Sequence, residues 1–285
     1  MEQIAKGIYI EDSYLGVTLG ALALTHGTIL IDAPPCPEDT RSWRAALRNL
    51  GSGVNRLLIN LDDHNDRTLG ARAMECPVMA HIETATSFQK RSAVFKGQYP
   101  ESGGDWEHCV GLSGIRWAIP SLTYSERAEL YWDEQPLFVE HHPGPTPGAT
   151  WVVIPGAEVV FVGDLVFPDQ PPFLSSADLP VWIESLDLLI SAAFRNYLVV
   201  SSRGGLVPLE TIRMQRRLLK YILKRLTALA DRESHPEVTE TLIPKLLSEI
   251  EFSPDRQDQY QQRLAYGLYH YYTRNFWPNE IIEEE

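Results

Sequence analysis

The 285-residue sequence contains no run of about 18 consecutive apolar residues, so we expect no transmembrane helix. The first residues do not combine a basic start with an apolar core, which argues against a secretory signal. Only three cysteines occur (Cys36, Cys76 and Cys109), without Cys-x-x-Cys spacing, and an odd number favours neither a disulfide framework nor a cysteine zinc cluster. These absences predict a reduced, cytoplasmic protein.

Positive charge is also scarce: the sequence has 25 Lys and Arg residues and 38 Asp and Glu residues, which gives a formal net charge of −13. Such a chain repels a polyanion, which argues against a general nucleic-acid binder. One predicted helix after Pro208 is locally basic. We interpret its basic side as a solvated face paired with nearby acids, rather than as an RNA-binding surface.

The chain alternates strand-like and helix-like segments. Short apolar or β-branched runs predict strands at 8–10, 17–23, 28–32, 56–60, 78–80, 137–140, 151–154, 159–167 and 197–201. Helical spacing predicts helices at 38–50, 180–194, 211–230, 237–251 and 254–276. Strand runs interrupted by helices predict two sheets with helices packed outside them.

A polar cluster, Asp62-x-His64-x-Asp66-Arg67, directly follows the predicted strand at 56–60. Four ionisable side chains at one strand exit can converge on a point, and carboxylate and imidazole groups are ligands for zinc, iron and manganese. A solvated polar loop would produce the same pattern, so the cluster alone leaves both interpretations open.

Three later segments add to this cluster. Residues 138–148 form a strand that leads into the turn Gly-Pro-Thr-Pro-Gly, residues 159–164 a strand that ends in Gly-Asp, and residues 197–204 a strand that ends in Ser-Arg-Gly. Their order and spacing resemble the metallo-β-lactamase superfamily over roughly residues 5–210. The resemblance implies an α/β fold, a four-layer αββα sandwich at residues 1–207. Residues 208–285 would then form a C-terminal helical extension packed on it.

The metal-ligand positions depart from the family pattern. His64, Asp66 and Asp164 match family ligands, and Asp62 stands where the first His of the family motif belongs. Three further family histidines are replaced, by Arg67, Pro145 and Arg203. Arginine does not lose its proton in proteins and pairs readily with carboxylates. We therefore expect Arg67 and Arg203 to be counter-ions of Asp66 and Asp164 in place of a second metal.

The first metal position keeps two candidate ligands, Asp62 and His64. His142, three residues before Pro145, is a candidate third ligand, because catalytic zinc takes three protein ligands and a water. The alternative, which we favour, is a strand-end histidine bonded to the backbone. His141 is expected on the opposite, solvent-facing side of the strand.

Two functions therefore remain. The first is a degenerate, non-catalytic or binding homologue of metal-dependent hydrolases, without a dinuclear centre. The second is a single-metal hydrolase of an ester, thioester or phosphodiester, with one zinc, iron or manganese ion held by Asp62, His64 and either His142 or Asp164. Asp66 would then be the general base and Arg67 or Arg203 the oxyanion stabiliser. We favour the first.

Two further segments are candidates for contact with a ligand, with the rest of the domain or with a second subunit. The loop at 98–114, rich in Gly, Pro, Ser and acidic residues, is a candidate lid over the site. An aromatic face of the last helix, with Tyr266, Tyr269 and either Tyr272 or Thr273, is expected to dock on the domain or on a second subunit; lining a pocket is the alternative. The expected partner is an unidentified small molecule rather than a membrane or a nucleic acid, and a homodimer stays open.

Overall fold

Two mixed β-sheets form the centre of this protein in a computed structural model that describes residues 1–50, 54–97 and 102–277. Within those residues the first sheet has seven strands in sequence order: β1 (Glu2–Ala5), β2 (Ile8–Glu11), β3 (Leu19–Leu24), β4 (Gly27–Ile31), β5 (Asn55–Ile59), β6 (Val78–His81) and β7 (Leu122–Tyr124). Strands β1 to β4 pair antiparallel, and β4 to β7 pair parallel.

The second sheet has six strands in the described chain: β8 (Arg127–Leu130), β9 (Leu137–His141), β10 (Thr150–Ile154), β11 (Val159–Phe161), β12 (Leu198–Ser201) and β13 (Gly205–Val207). Its order is β13-β12-β11-β10-β9-β8. Only β11 and β12 pair parallel among these strands, and the connection between them carries a helix, as parallel pairs require.

Helices cover the outer faces of both sheets. They are α1 (Pro37–Leu47), α2 (Asn65–Thr68), α3 (Ile82–Lys90), α4 (Leu179–Ile190), α5 (Leu209–Ala230), α6 (Ile243–Leu247) and α7 (Gln257–Phe276). Helix α1 begins with Pro37 and has Glu38 and Asp39 in its first turn, and the Asp178 side chain caps the Val181 amide at the start of α4. The Asp178 cap satisfies an amide that a helix leaves unpaired at its N-terminus, whereas Pro37 has no N–H to satisfy and the two acidic residues favour the positive end of the helix dipole.

Strand alternation divides the apolar residues among three layers of core. Leu57 and Ile59 of β5 point between the sheets and pack with residues of the second sheet such as Val152. Leu58 points to the other side and packs with Trp43 of α1. On the far side of the second sheet, a third core joins Trp151 to residues of α4, α5 and α7. The result is the four-layer αββα sandwich that the sequence predicts.

The described part of the predicted C-terminal extension shares this third core with the second sheet. Leu219 of α5, Leu246 of α6 and Leu268 of α7 are buried in it. The boundary after residue 207 stays a prediction. The single helix predicted at 237–251 is instead a 3₁₀ helix (Pro236–Leu242) followed by α6. The strand predicted at 159–167 ends at Phe161, because Gly163 has a φ of +61° and the chain turns there.

The aromatic face expected to dock α7 is partly wrong. Tyr266 and Tyr269 are only half-buried, whereas the buried face carries Tyr272 together with Tyr260, Leu264, Leu268 and Tyr271. The leucines share a stripe with Tyr260 at i, i+4 and i+8, and this stripe decides which side faces the core.

Two cysteines that the sequence leaves unpaired form a disulfide bond, Cys36–Cys109, with a Cα–Cα separation of 6.0 Å. Cys36 precedes α1, and Cys109 follows a 3₁₀ helix at Asp105–His108, 73 residues later in the chain. The expectation of no disulfide was wrong because only the fold brings the two residues together. Disulfides are typical of oxidising compartments, so the cytoplasmic location stays a prediction. No helix among the described residues is long and apolar enough to cross a bilayer.

Candidate functional site

The ends of four strands place the candidate residues at one edge of the sandwich. Asp32 follows β4 and Asp62 follows β5, and these two strands are parallel neighbours in the first sheet. Asp164 follows β11 and Arg203 follows β12, which are parallel neighbours in the second sheet. The carboxyl ends of parallel strands meet on one side, where α/β proteins commonly bind ligands.

Arg203 is the central residue of this site and is 5% exposed. Its Nε donates to Asp164 Oδ1 at 2.8 Å, and its Nη1 donates to Asp66 Oδ2 at 2.8 Å and to the Gly16 carbonyl at 3.2 Å. Its Nη2 lies 3.2 Å from Asp164 Oδ2 and 3.0 Å from His64 Nδ1. A guanidinium has five N–H donors, and these five acceptors use all of them.

Arg67 lies beside Arg203 and is fully buried in the short helix α2. Its Nε is 3.2 Å from Asp62 Oδ1 and its Nη1 is 3.7 Å from Asp32 Oδ2, while its Nη2 is in contact with Asp164 Oδ1. These contacts are ion pairs without the alignment of hydrogen bonds. Asp164 therefore contacts both guanidiniums, and the ion pairs expected for Arg67 and Arg203 with carboxylates are present. Arg67 pairs with Asp62 and Asp32 rather than with Asp66.

The network continues into the C-terminal helix through Asp105, which the sequence did not indicate. Arg256 Nη1 donates to Asp105 Oδ1 at 2.8 Å, and Arg203 and Arg263 each lie 3.7 Å from Asp105 Oδ2. Arg263, in α7, is 1% exposed and donates twice to the Gly103 carbonyl, at 2.9 and 2.7 Å. No local pattern marks these residues, because their partners are about 150 positions away in the sequence.

Burial and ion pairing shift the pKa values of these carboxyl groups in opposite directions. Burial raises the pKa of Asp66, but the Arg203 guanidinium outweighs it and holds that pKa below its ordinary value. The same balance, with Arg203 and Arg67, lowers the pKa of Asp164. Burial dominates at Asp32 and raises its pKa to about 7, against the opposing charge of Arg67. A buried carboxylate held ionised by arginine is a weak proton acceptor, so Asp66 is poorly suited to be a general base.

The residues present do not fit a metal ion. Within the described ranges, no group of three His, Cys, Asp or Glu side chains is arranged to hold one. Four candidate ligands lie around the two arginines, and each already contacts a guanidinium: Asp62, His64, Asp66 and Asp164. The other candidate, His142, is engaged elsewhere: its Nε2 lies 3.3 Å from Glu140 Oε2, and its ring stacks on Trp151.

His141, which was expected to face solvent, instead stacks on His81, with ring centroids 3.7 Å apart. Its Nε2 lies 2.8 Å from the Pro147 carbonyl. The end of β6 in the first sheet and the end of β9 in the second sheet meet there, so the side of β9 that carries His141 is partly covered.

A cavity of about 240 Å³ opens beside the arginine network. His64, Asn65, Arg91, Pro145 and Thr146 contribute to its wall, and Trp106, Phe167, Phe173 and Tyr266 add aromatic surface. Ser102 and Trp106, which belong to the loop predicted as a lid, line the cavity, and the lid itself stays a prediction. Residues 98–101 of that loop lie outside the described part of the chain. Tyr266 therefore lines a pocket, which was the alternative to docking that the sequence left open for this residue.

Comparison with known proteins supports the fold. The family model of the metallo-beta-lactamase superfamily matches residues 71–201. A metallo-beta-lactamase from Pontibacter korlensis superposes on 77% of this chain and 97% of its own, with a TM-score of 0.60 and 20% identity. This chain has the metallo-β-lactamase fold. The matched segment begins after the Asp62–Arg67 motif and includes Asp164.

Other structures with the metallo-β-lactamase fold extend the comparison. DIM-1 metallo-beta-lactamase covers 77% of this chain at 14% identity, with a TM-score of 0.58. The stereoselective inverting sec-alkylsulfatase Pisa1 from Pseudomonas sp. covers 96% of this chain at 16% identity, with a TM-score of 0.69, and this chain spans 49% of that protein's length. At such identities the likeness concerns the fold alone. A search of curated protein sequences finds no match.

Proposed function

We propose that this protein is a non-catalytic, ligand-binding homologue of the metal-dependent hydrolases that share its fold. Guanidinium–carboxylate pairs would stand where those enzymes bind metal. The observation that carries the proposal is the environment of Arg203, whose five N–H donors meet acceptors on Asp164, Asp66, His64 and the Gly16 backbone.

Electrostatics supports this assignment. A divalent cation that used Asp66 and Asp164 would have to enter beside two buried guanidiniums, and like charges at such distances repel strongly in a protein interior. The arginines already compensate the carboxylates, which removes the uncompensated negative charge that would attract a metal. Moving Arg203 aside would leave a buried, unpaired guanidinium, which is costly.

The single-metal hydrolase is the weaker alternative. It needs three protein ligands, and catalytic zinc sites keep a further position open for water. Asp62 accepts the His64 amide at 2.8 Å and contacts Arg67, while His64 Nδ1 faces Arg203. Neither candidate third ligand is free among the described residues, because Asp164 contacts both Arg67 and Arg203, and His142 is held by Glu140 and Trp151.

The direct test is metal analysis of protein purified without a histidine tag or chelator. We expect substoichiometric zinc, iron and manganese, and calorimetric titration with zinc should give no saturable binding near one equivalent. The His64→Ala variant should give the same result as the wild type.

About one equivalent of metal in the wild type, lost in His64→Ala, would overturn the proposal. That result would support the single-metal hydrolase and would direct attention to ester, thioester and phosphodiester substrates. His142→Ala is the matched control, because this histidine lies outside the network and its loss should leave metal content unchanged.

A further inference from the structure

The network fixes the tautomer of His64. Arg203 Nη2 has two protons, one for Asp164 Oδ2 and one for His64 Nδ1, and the Asp66 amide also donates to Nδ1 at 3.4 Å. A protonated Nδ1 would place two donors against each other at 3.0 Å. Asp66 Oδ2 also lies 3.3 Å from Nδ1, but it already accepts from Arg203 Nη1 at 2.8 Å, whereas two N–H donors, on Arg203 Nη2 and on the Asp66 backbone, approach Nδ1. The geometry therefore favours Nδ1 as the acceptor, with the ring proton on Nε2.

The Nε2–H group of His64 then has no hydrogen-bond acceptor among the described residues. The His64 side chain is 17% exposed and lines the cavity of about 240 Å³. The imidazole packs against Phe173, with ring centroids 4.4 Å apart, so its orientation is held by an aromatic neighbour as well as by Arg203. A fixed, oriented donor of this kind is suited to recognising an oxygen acceptor.

Thr146 provides a second observation at the same cavity. It is 8% exposed, its Oγ1 is buried without a hydrogen-bond partner in the described structure, and the residue lines the cavity wall. A buried hydroxyl left unpaired costs free energy that a bound polar group could recover. The surrounding Phe167, Phe173 and Trp106 supply apolar surface for a flat ligand body.

Charge decides between a neutral ligand and an anionic one. Arg91 lines the cavity, but its Nη2 lies 2.8 Å from Asp63 Oδ2, and Arg203 is fully used by its five acceptors. Asp63 and Asp164 also line the cavity. An anionic ligand would therefore meet paired arginines and two carboxylates, and it would lose its hydration without gaining a counter-ion.

We propose that the His64 Nε2–H group is the recognition donor for the carbonyl oxygen of a small, uncharged carbonyl compound, such as an amide or ester, with a flat apolar body. This inference rests on the proposed function, because it requires His64 to be free of metal. The ligand's apolar part would pack against Phe173 and its neighbours, and Thr146 would offer a second hydrogen bond.

Benzamide and benzoate are suitable probes, because they have nearly the same shape and differ in charge. In an NMR titration of histidine-labelled protein, we expect benzamide to perturb the His64 ring signals and to bind at least about tenfold more tightly than benzoate. Equal or tighter binding of benzoate would overturn the neutral-ligand assignment.

Two variants test the donor. His64→Phe keeps an aromatic ring but removes Nε2–H, and it should weaken benzamide binding by about tenfold. His142→Phe is the matched control, because His142 stacks on Trp151 outside the cavity, and it should bind benzamide like the wild type. Unchanged affinity in a folded His64→Phe variant would contradict the proposal.

The wild-type tautomer gives a test that depends on no substitution. Long-range ¹H–¹⁵N correlation spectra should show His64 protonated at Nε2 and not at Nδ1, and a proton on Nδ1 would overturn the inference. Added zinc separates the two proposals. Zinc that binds and shifts the His64 signals refutes the metal-free function. If the zinc-free protein does not bind benzamide, only the ligand assignment is refuted.

Discussion

Arg203 and Asp164 form a bidentate pair, with Nε 2.8 Å from Oδ1 and Nη2 3.2 Å from Oδ2. The two residues follow neighbouring parallel strands, β12 and β11. Bidentate arginine–carboxylate pairs combine charge with directional hydrogen bonds and are among the stronger polar interactions in proteins. The same Asp164 carboxylate also contacts Arg67, so one aspartate connects both guanidiniums.

Loss of Arg203 should destabilise the fold. Arg203→Met leaves Asp66 and Asp164 buried with less compensating charge, and removing one partner of a buried pair costs about 3–5 kcal/mol. Urea unfolding of the variant and the wild type measures the difference.

Arg217→Met is the control for this experiment, because Arg217 pairs with Glu210 on an exposed face of α5. Exposed pairs contribute about 0–1 kcal/mol, so its unfolding free energy should hardly change. A loss for Arg203→Met no larger than that of the control would contradict the compensating role of Arg203.

Stability should fall as pH rises from about 5 to 8. The pKa of Asp32 is about 7 in the fold and lies near its ordinary value of 3.8 in the unfolded chain, so between these values the folded state holds the extra proton. Raising the pH through this window removes that proton at a cost to the folded state. Asp32 alone contributes a slope of at most about 1.4 kcal/mol per pH unit. Burial also raises the pKa of Asp62, which adds to the slope in the same direction.

Asp32→Asn should flatten this slope, because asparagine cannot ionise and tolerates the φ of +58° at this position. The exposed Asp12→Asn variant is the control and should keep the wild-type slope. Asp66 and Asp164 act in the opposite sense, since their pKa values are lowered, and their contribution is lost as pH falls below about 4. A wild-type stability that increases from pH 5 to 8 would contradict the assignment for Asp32.

The Cys36–Cys109 bond should be chemically detectable. Denatured protein prepared without reductant should titrate with one free thiol, from Cys76, and with three after reduction. Loop-closure entropy over a separation of 73 residues gives about 4 kcal/mol of stabilisation, and Cys36→Ser should lose much of it. Cys76→Ser is the control. Three free thiols before reduction would show that the bond does not form.

Arg263 should order the segment that bears Trp106. It donates to the Gly103 carbonyl, and the Trp106 amide in turn donates to Asp66 Oδ1 at 2.5 Å. In Arg263→Leu, hydrogen exchange across residues 102–109 should become faster, as mass spectrometry of peptides would show. The exposed Arg232→Leu variant should leave this exchange unchanged, and equal protection in both variants would contradict the connection.

The sequence predicted the residues that follow strands better than those that lie elsewhere. Asp62, His64, Asp66 and Arg67 form one local motif, and Asp164 and Arg203 each end a recognisable apolar strand, so strand pairing alone brings them together. Asp105 and Arg263 were missed because neither has a local pattern and their contact depends on how α7 packs. The Cys36–Cys109 pair was missed for the same reason. His142 was a candidate ligand, with a strand-end histidine bonded to the backbone as the favoured alternative. Its ring instead contacts the Glu140 side chain and Trp151, which sequence spacing does not reveal.

The central claim is that two guanidiniums stand in place of a metal, and converting both arginines to histidine tests it most directly. The Arg67→His/Arg203→His variant surrounds Asp66 and Asp164 with two imidazoles, a ligand set that zinc accepts. The Arg67→Gln/Arg203→Gln variant removes the same charge without adding a ligand. We expect about one equivalent of zinc in the histidine variant and none in the glutamine variant or the wild type. Zinc bound at one equivalent by the wild-type protein, through His64, would contradict the claim.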